Sequence, residues 1–270
     1  MSGLGREGPG FATALDAGVL TLTLNRPEAR NPFVPGMPAA LRDLLGDAQA
    51  DPAVRCLLVR GAGDHLSAGG DVASFARSLA ETTDAERQAE FRGRMAVGKA
   101  LALALAAFDR PVVVRHRGAV AGAGLMVPLA ADLVVADETA RFVFAYRRLA
   151  LSPDGGVSWL LARAVGARQA RRLMLTAAVV EAPEAQRLGL IDLLVPAEEL
   201  DAAAARAAAD FATAPQGSLR RIKRLADAAP GRDYAAHLDA EGEAIVEGVV
   251  DPDFAEGVAA FLEKRPPRFA

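Results

Sequence analysis

A chain of 270 residues with 51% apolar and 24% charged side chains is long enough for one large domain or two modest ones and needs no disulfide staple. Its 31 basic and 34 acidic residues give a formal net charge of −3, which excludes the strongly basic surface of a nucleic-acid binder and the polarity of a disordered chain. Cys56, the single cysteine, sits in the apolar run Cys-Leu-Leu-Val, so an intrachain disulfide and a multi-cysteine metal site are both excluded and a reducing compartment is expected. The first twenty residues lack the basic start and apolar core of a secretory signal. The longest uncharged apolar stretch, 118–131, holds three glycines and Pro128 and falls short of the ~20 residues of a membrane helix. The expectation is a cytoplasmic protein with neither a membrane nor a nucleic-acid partner.

Residues 18–25 alternate Val, Leu and Thr with period two before Arg26-Pro27, and predict the opening strand. Leu41, Leu44, Leu45 and Ala48 recur at helical spacing within 38–50, and Asp51-Pro52 closes that helix. The run 54–59 reads as a strand buried on both faces, followed by a tight loop at Gly61-Ala-Gly-Asp64 and by a Gly-Gly-Asp71 entry to another helix. A long helical pattern over 84–107 is broken by Asp109-Arg-Pro111, and Val112–Val114 begins a strand. Residues 118–126 predict a glycine-rich loop leading into an apolar helix, 133–136 and 142–144 predict strands, and 152–156 predict a turn before the helix that carries Trp159. Beyond Pro196 the segments 203–209, 217–228 and 234–249 are helical with no strand between them. The division is an α/β core over 1–197 and a helical region over 198–270.

Three glycine-rich loops, 67–71, 118–124 and 153–156, attract a chemical reading. Gly122-Ala-Gly124 does not complete a dinucleotide fingerprint, because Val127 occupies the third glycine position, and no Gly-Lys-Ser or Gly-Lys-Thr phosphate loop occurs. Loops of this kind at helix starts present backbone N–H groups, and two that converge make an oxyanion hole; read singly, each is an ordinary turn. Asp154 reads either as a general acid or base or, locally better, as the N-cap of the helix that follows. His65, His116 and His237 have no partners at metal or triad spacing, so polar packing is expected of each and no metal is called for. Phe75, Met95, Met126 and Trp159 fit an acyl pocket or plain core.

Taken in order, Leu24-Asn-Arg-Pro-Glu-Ala-Arg-Asn31, the 57–71 segment ending Ser-Ala-Gly-Gly-Asp71, Gly118-Ala-Val-Ala-Gly-Ala-Gly124 with its extension to Asp132, Leu149-Ala-Leu-Ser-Pro-Asp-Gly-Gly156, the 182–192 segment and the closing 256–264 segment resemble the crotonase superfamily, the enoyl-CoA hydratase/isomerase family. The resemblance covers about residues 12–269. It implies an α/β fold, a crotonase-like spiral of repeated ββα units with a helical C-terminal region that helps form homotrimers or dimers of trimers. It implies an acyl-CoA thioester substrate and no cofactor beyond the CoA that the substrate carries. By motif position the oxyanion-hole amides fall at Gly70 and Ala123, and the two glutamates with which hydratases of the family activate water are replaced by Met126 and Tyr146. Asp154 stands where members that isomerise a double bond, open an epoxide or close a naphthoyl ring place their acid. CoA contacts are implied at Ala29 and Arg30, at Ala68, Gly69 and Asp71, and at Phe261 and Lys264 from an adjacent subunit; Phe75, Met126, Tyr146 and Trp159 are implied around the acyl group. The expectation is a double-bond isomerase with a single Asp base. The alternatives are an enoyl-CoA hydratase, a ring-modifying enzyme of the same fold and an inert acyl-CoA binder.

Overall fold

A computed structural model describes residues 3–269. The chain opens with an antiparallel meander of β1 (Glu7–Gly8), β2 (Phe11–Asp16) and β3 (Val19–Leu24), turned at Ala17-Gly18 with both residues at positive φ. The strand expected to open the fold is therefore the third. β2, Phe-Ala-Thr-Ala-Leu-Asp, alternates too weakly to stand out, because small half-exposed side chains line much of both its faces.

From β3 onward the chain winds as a spiral. Its first turn carries β4 (Pro32–Phe33) and α1 (Met37–Ala50), whose buried face is the expected Leu41, Leu44, Leu45 and Ala48 with Met37 added. The second carries β5 (Cys56–Gly61), β6 (Gly69–Gly70), α2 (Val72–Glu81) and α3 (Asp84–Ala106), the last started by a reciprocal Thr83–Glu86 capping box. The third carries β7 (Val112–His116), β8 (Ala119–Ala121), a 3-10 turn over Gly122–Leu125 and α4 (Met126–Leu129). The predicted loop at 118–126 is thus part strand and part helical turn. The fourth carries β9 (Leu133–Asp137), β10 (Arg141–Val143), α5 (Val157–Val165) and α6 (Ala167–Leu175). Two short strands that escape the sequence pattern, β11 (Val179–Glu181) and β12 (Leu193–Val195), flank α7 (Ala182–Arg187). The C-terminal helices are α8 (Leu200–Thr213), α9 (Gln216–Ala228), α10 (Tyr234–Val249) and α11 (Pro252–Glu263).

The long strands form one sheet in the order β1-β2-β3-β5-β7-β9-β12, parallel from β3 on; β8, β10 and β11 form a second sheet and β4 pairs with β6. Period-two geometry, with both faces covered, explains the apolar runs 56–59, 112–114 and 133–136 in β5, β7 and β9. Leu57, Val59, Val112, Val114, Val134 and Ala136 join the main core, whereas Cys56, Leu58, Val113 and Val135 point to the other face, where Leu200, Ala203, Ala204, Ala208 and Ala212 of α8 cover them. α8 therefore lies flat on the sheet, and burial raises the Cys56 thiol to about 12. Farther on, α10 and α11 leave Ile245, Val246, Val249, Phe261 and Leu262 exposed. Among the described residues no helix is long and apolar enough to cross a membrane.

Two of the histidines, His116 and His65, are held in polar packing. His116 ends β7 fully buried, its Nε2 hydrogen-bonded to the Gly118 carbonyl at 3.1 Å and its ring edge-on to Phe142. His65 Nδ1 accepts from the Ala119 amide at 3.1 Å. Burial lowers the His116 pKa to about 4. An unfolded chain takes up this proton near pH 6.5, so protonation favours unfolding and stability falls as pH drops from about 6.5 to 4, by up to about 3 kcal/mol. Urea unfolding across that range should show the loss, and His116→Asn should flatten it; equal slopes in the two proteins would contradict it.

Candidate functional site

The site is built from four loops on one side of the spiral. The first turns back at Arg30 and Asn31, both at positive φ (62° and 55°), a backbone state that asparagine tolerates better than most residues. Asn31 is 1% exposed, and its side chain joins this loop to the second: Oδ1 accepts from the Arg26 amide at 2.8 Å, while Nδ2 donates to the carbonyls of Ala62 at 2.9 Å and His65 at 2.8 Å. The Asn31 carbonyl accepts from Ser67 Oγ at 2.8 Å, and Ser67 Oγ accepts from the Gly69 amide at 3.1 Å. The Ala68 amide donates to the Arg30 carbonyl at 2.7 Å.

This tie presses the second loop against the third. The Ala121 amide donates to the Ser67 carbonyl at 2.9 Å. Gly69 has φ 82°, and a Cβ there would lie 2.4 Å from the Ala121 carbonyl oxygen and 3.1 Å from the Ala123 nitrogen, so only glycine fits. The left-handed turn in the third loop falls on Gly122 (φ 51°), so Ala123 keeps an ordinary backbone and its Cβ brings no strain. Ala123 stands in the opening turn of the Gly122–Leu125 segment, where amides lack intrahelical acceptors.

Gly70 and Ala123 line one chamber of about 410 Å³ together with Phe33, Asp71, Phe75, Arg94 and Asp154. A neighbouring chamber of about 360 Å³ shares Phe33, Met95, Gly98, Ala123 and Asp154 and adds Met126, Leu101 and Ala102. Asp154 thus lies where the two chambers meet. Its local N-cap reading does not hold: α5 begins at Val157, its cap residue is Gly156, and no side chain caps it. The Asp154 carbonyl accepts from the Val157 amide at 3.1 Å, while Oδ1 is buried without a hydrogen-bond partner. Burial raises its pKa above the usual carboxylate range, against a smaller opposing effect from its own backbone amide. Tyr146 is 8% exposed and its hydroxyl also lacks a partner; burial first, and then the Asp154 charge, push its pKa up.

Two other carboxylates reach the first chamber, and both are engaged. Asp71 caps α2 through the Ala73 amide at 3.2 Å, and Glu90 holds Arg94 and the Ser78 hydroxyl. Arg94 also donates to Ser74 Oγ at 2.8 Å and lies over the rings of Phe75 and Phe91. Of the residues expected here, Gly70, Ala123, Asp154, Asp71, Phe75 and Met126 come together. Ala29, Arg30, Ala68 and Gly69 lie in the joined first and second loops, where the Ala68 and Gly69 amides are used internally, and Arg30 is exposed. Trp159, expected at the acyl group, is 61% exposed on α5 and lines neither chamber; its indole lies under Arg163 instead, because α5 buries Val157 and Leu161. Phe261 and Lys264 end α11 at the surface, and Phe261 lines a separate apolar groove with Ile245 and Phe254.

Sequence reading misses Phe33, Gly98, Arg94 and above all Asn31, whose only local signal is an asparagine beside a proline at a turn. Asn31→Ala strips partners from one half-buried amide and two half-buried carbonyls. We expect a loss of about 3 kcal/mol in urea unfolding; a change under about 1 kcal/mol would show that the tie is dispensable.

Comparison with known proteins agrees with this architecture. The enoyl-CoA hydratase/isomerase family model matches residues 14–270. The chain is 36% identical over 255 residues to the 1,2-epoxyphenylacetyl-CoA isomerase of Escherichia coli (strain K12), covering 94% of this chain and 96% of that protein. It is 32% identical over 256 residues to the trans-2-decenoyl-acyl-carrier-protein isomerase of Streptococcus mutans, covering 94% and 95%. The crystal structure of an enoyl-CoA hydratase from Polaromonas sp. JS666 superimposes with a TM-score of 0.88 at 30% identity, covering 96% of this chain and 99% of that one. With its spiral of ββα turns and helical C-terminal region, the chain belongs to the enoyl-CoA hydratase/isomerase family of the crotonase superfamily.

Proposed function

We propose that this protein is an acyl-CoA double-bond isomerase in which Asp154 carries the proton and the Gly70 and Ala123 amides hold the thioester oxygen. The observation that supports this best is a buried, unpartnered Asp154 oxygen in the chamber that Gly70 and Ala123 also line. A proton on carbon beside a thioester is too weak an acid to leave at neutral pH unless the negative charge that develops on the thioester oxygen is stabilised. Two amides preorganised toward that oxygen would contribute several kcal/mol. The Asp154 carboxylate takes the proton from one carbon, the electron pair moves through the conjugated system to the oxygen, and the resulting Asp154 carboxylic acid returns the proton at the other end. The double bond has moved and nothing has been added.

One carboxylate is enough for this exchange, whereas activating and protonating water calls for two. Met126 and Tyr146 occupy the places that the family resemblance gives to the hydratase glutamates, and Asp71 and Glu90 are committed elsewhere. The relative named as a trans-2-decenoyl-acyl-carrier-protein isomerase is consistent with this choice, while others are named for epoxide isomerisation or for hydration. Assembly into homotrimers or dimers of trimers belongs to the same proposal and is supported by the exposed apolar side chains of α10 and α11. Sedimentation should give three or six chains; a monomer at micromolar concentration would contradict it.

Asp154→Asn should lower kcat/KM on cis-3-enoyl-CoA by at least about 100-fold, the scale of a lost general base. Product mass should equal substrate mass in the wild type; a gain of the mass of water would reveal hydration. Since the base works ionised and its pKa is raised, kcat should fall on the acid side with a midpoint above about 4, the usual carboxylate value. Burial opposes the charge, so wild-type stability falls as pH rises through this titration. Asp154→Asn should therefore raise Tm at pH 7, with an advantage that shrinks in acid. Unchanged activity in the variant would remove Asp154 from the reaction.

A further inference from the structure

α3 lines both chambers, and Gly98 on it borders each of them. Glycine inside a helix is unfavourable relative to alanine, because it gives up more backbone freedom on folding. Where a helical glycine borders a cavity, it leaves open the volume that a side chain would fill. Gly98 does not have positive φ, and a Cβ built on it meets no atom within 4 Å. Gly69 and Gly118 differ, since a Cβ there would strike backbone oxygen. Gly46 on α1 and Gly93 on α3 also have open surroundings, but both are exposed, and only Gly98 of the three borders both chambers. Gly98 is half-buried, so the open space beside it is the chamber itself.

The walls around that space are suited to a flat group. Phe33 lines both chambers, and Phe75 lines the one with Gly70. Phe75 is held against Phe91, ring centres 5.2 Å apart, with the Arg94 guanidinium over both rings and anchored in turn by Glu90 and Ser74. A flat ring gains more contact atoms from aromatic walls than a straight chain of the same carbon number does.

We propose that Gly98 sets the width of the acyl chamber and selects thioesters whose acyl group carries a ring beside the reacting carbons over straight-chain thioesters. This rests on reading the Asp154 chamber as an acyl-CoA site. A branched side chain at 98 would extend into the space a ring needs.

The test compares kcat/KM for cyclohexenylacetyl-CoA and cis-3-hexenoyl-CoA in the wild type, Gly98→Leu, Gly98→Ala and Gly46→Leu. The wild type should prefer the ring-bearing substrate. The ratio of the two should fall at least tenfold in Gly98→Leu, fall less in Gly98→Ala and stay within twofold in Gly46→Leu. Gly98→Ala should also raise the thermal midpoint, since alanine favours the helix, so a fall in ratio there is not a folding defect. Wild-type preference for the straight chain, or a ratio in Gly98→Leu within twofold of wild type, would overturn the proposal. Should neither thioester be turned over, calorimetry with phenylacetyl-CoA and hexanoyl-CoA reads the same ratio as binding, so the isomerase reading fails separately. Absence of binding to either would overturn both.

Discussion

The Asn31 side chain bonds three backbone groups on two loops, and the geometry of the site follows from it. A buried carboxamide with this many partners has one orientation, since any other would leave amides and carbonyls without hydrogen bonds. Through the Asn31 carbonyl the constraint passes to Ser67, and through Ser67 Oγ to Gly69. Gly69 is then close enough to Ala121 and Ala123 that a single added carbon would not fit. Gly70 and Ala123, separated by fifty-three positions in the chain, border the same space as a result.

The sheet beneath supplies the rigidity that such a tie needs. β5, β7 and β9 are covered on one face by the main core and on the other by α8, so the strands that launch the second, third and fourth loops are fixed from both sides. Lys223 on α9 adds a lateral hold, donating to Asp132 at 2.7 Å and to the Arg110 carbonyl at 3.1 Å, just where β7 and β9 begin. Loops that carry function on a fixed base keep their spacing without being rigid themselves.

Within this frame the electrostatics of the site come from what is not paired. Asp71 and Glu90 border the chamber as Asp154 does, yet a helix amide and an arginine hold them in structural work. Asp154 alone of the three has a buried oxygen without a partner, and the same burial raises its pKa. A carboxyl so placed is held less firmly as an anion than a paired one, which is the property that the proposed proton transfer would use.

The order of the glycine loops, the apolar strands 54–59 and 133–136, the long helix over 84–107 and the family itself are all legible in the amino-acid sequence, because they depend on local periodicity and on motifs a few residues long. β2, β11 and β12 are not, being short or weakly patterned and formed by pairing with distant strands. Asp154 shows the limit most plainly: Pro-Asp-Gly-Gly before a helix has the local form of a cap, and only the start of α5 at Val157 leaves its Oδ1 without a partner. Trp159 is equally ambiguous by composition, and the rotation of α5 about Val157 and Leu161 turns it outward. The sequence by itself determined which residues were available for chemistry. The tertiary structure decided which were left unpaired beside one another, because burial and hydrogen-bond pairing are set by segments far apart in the chain.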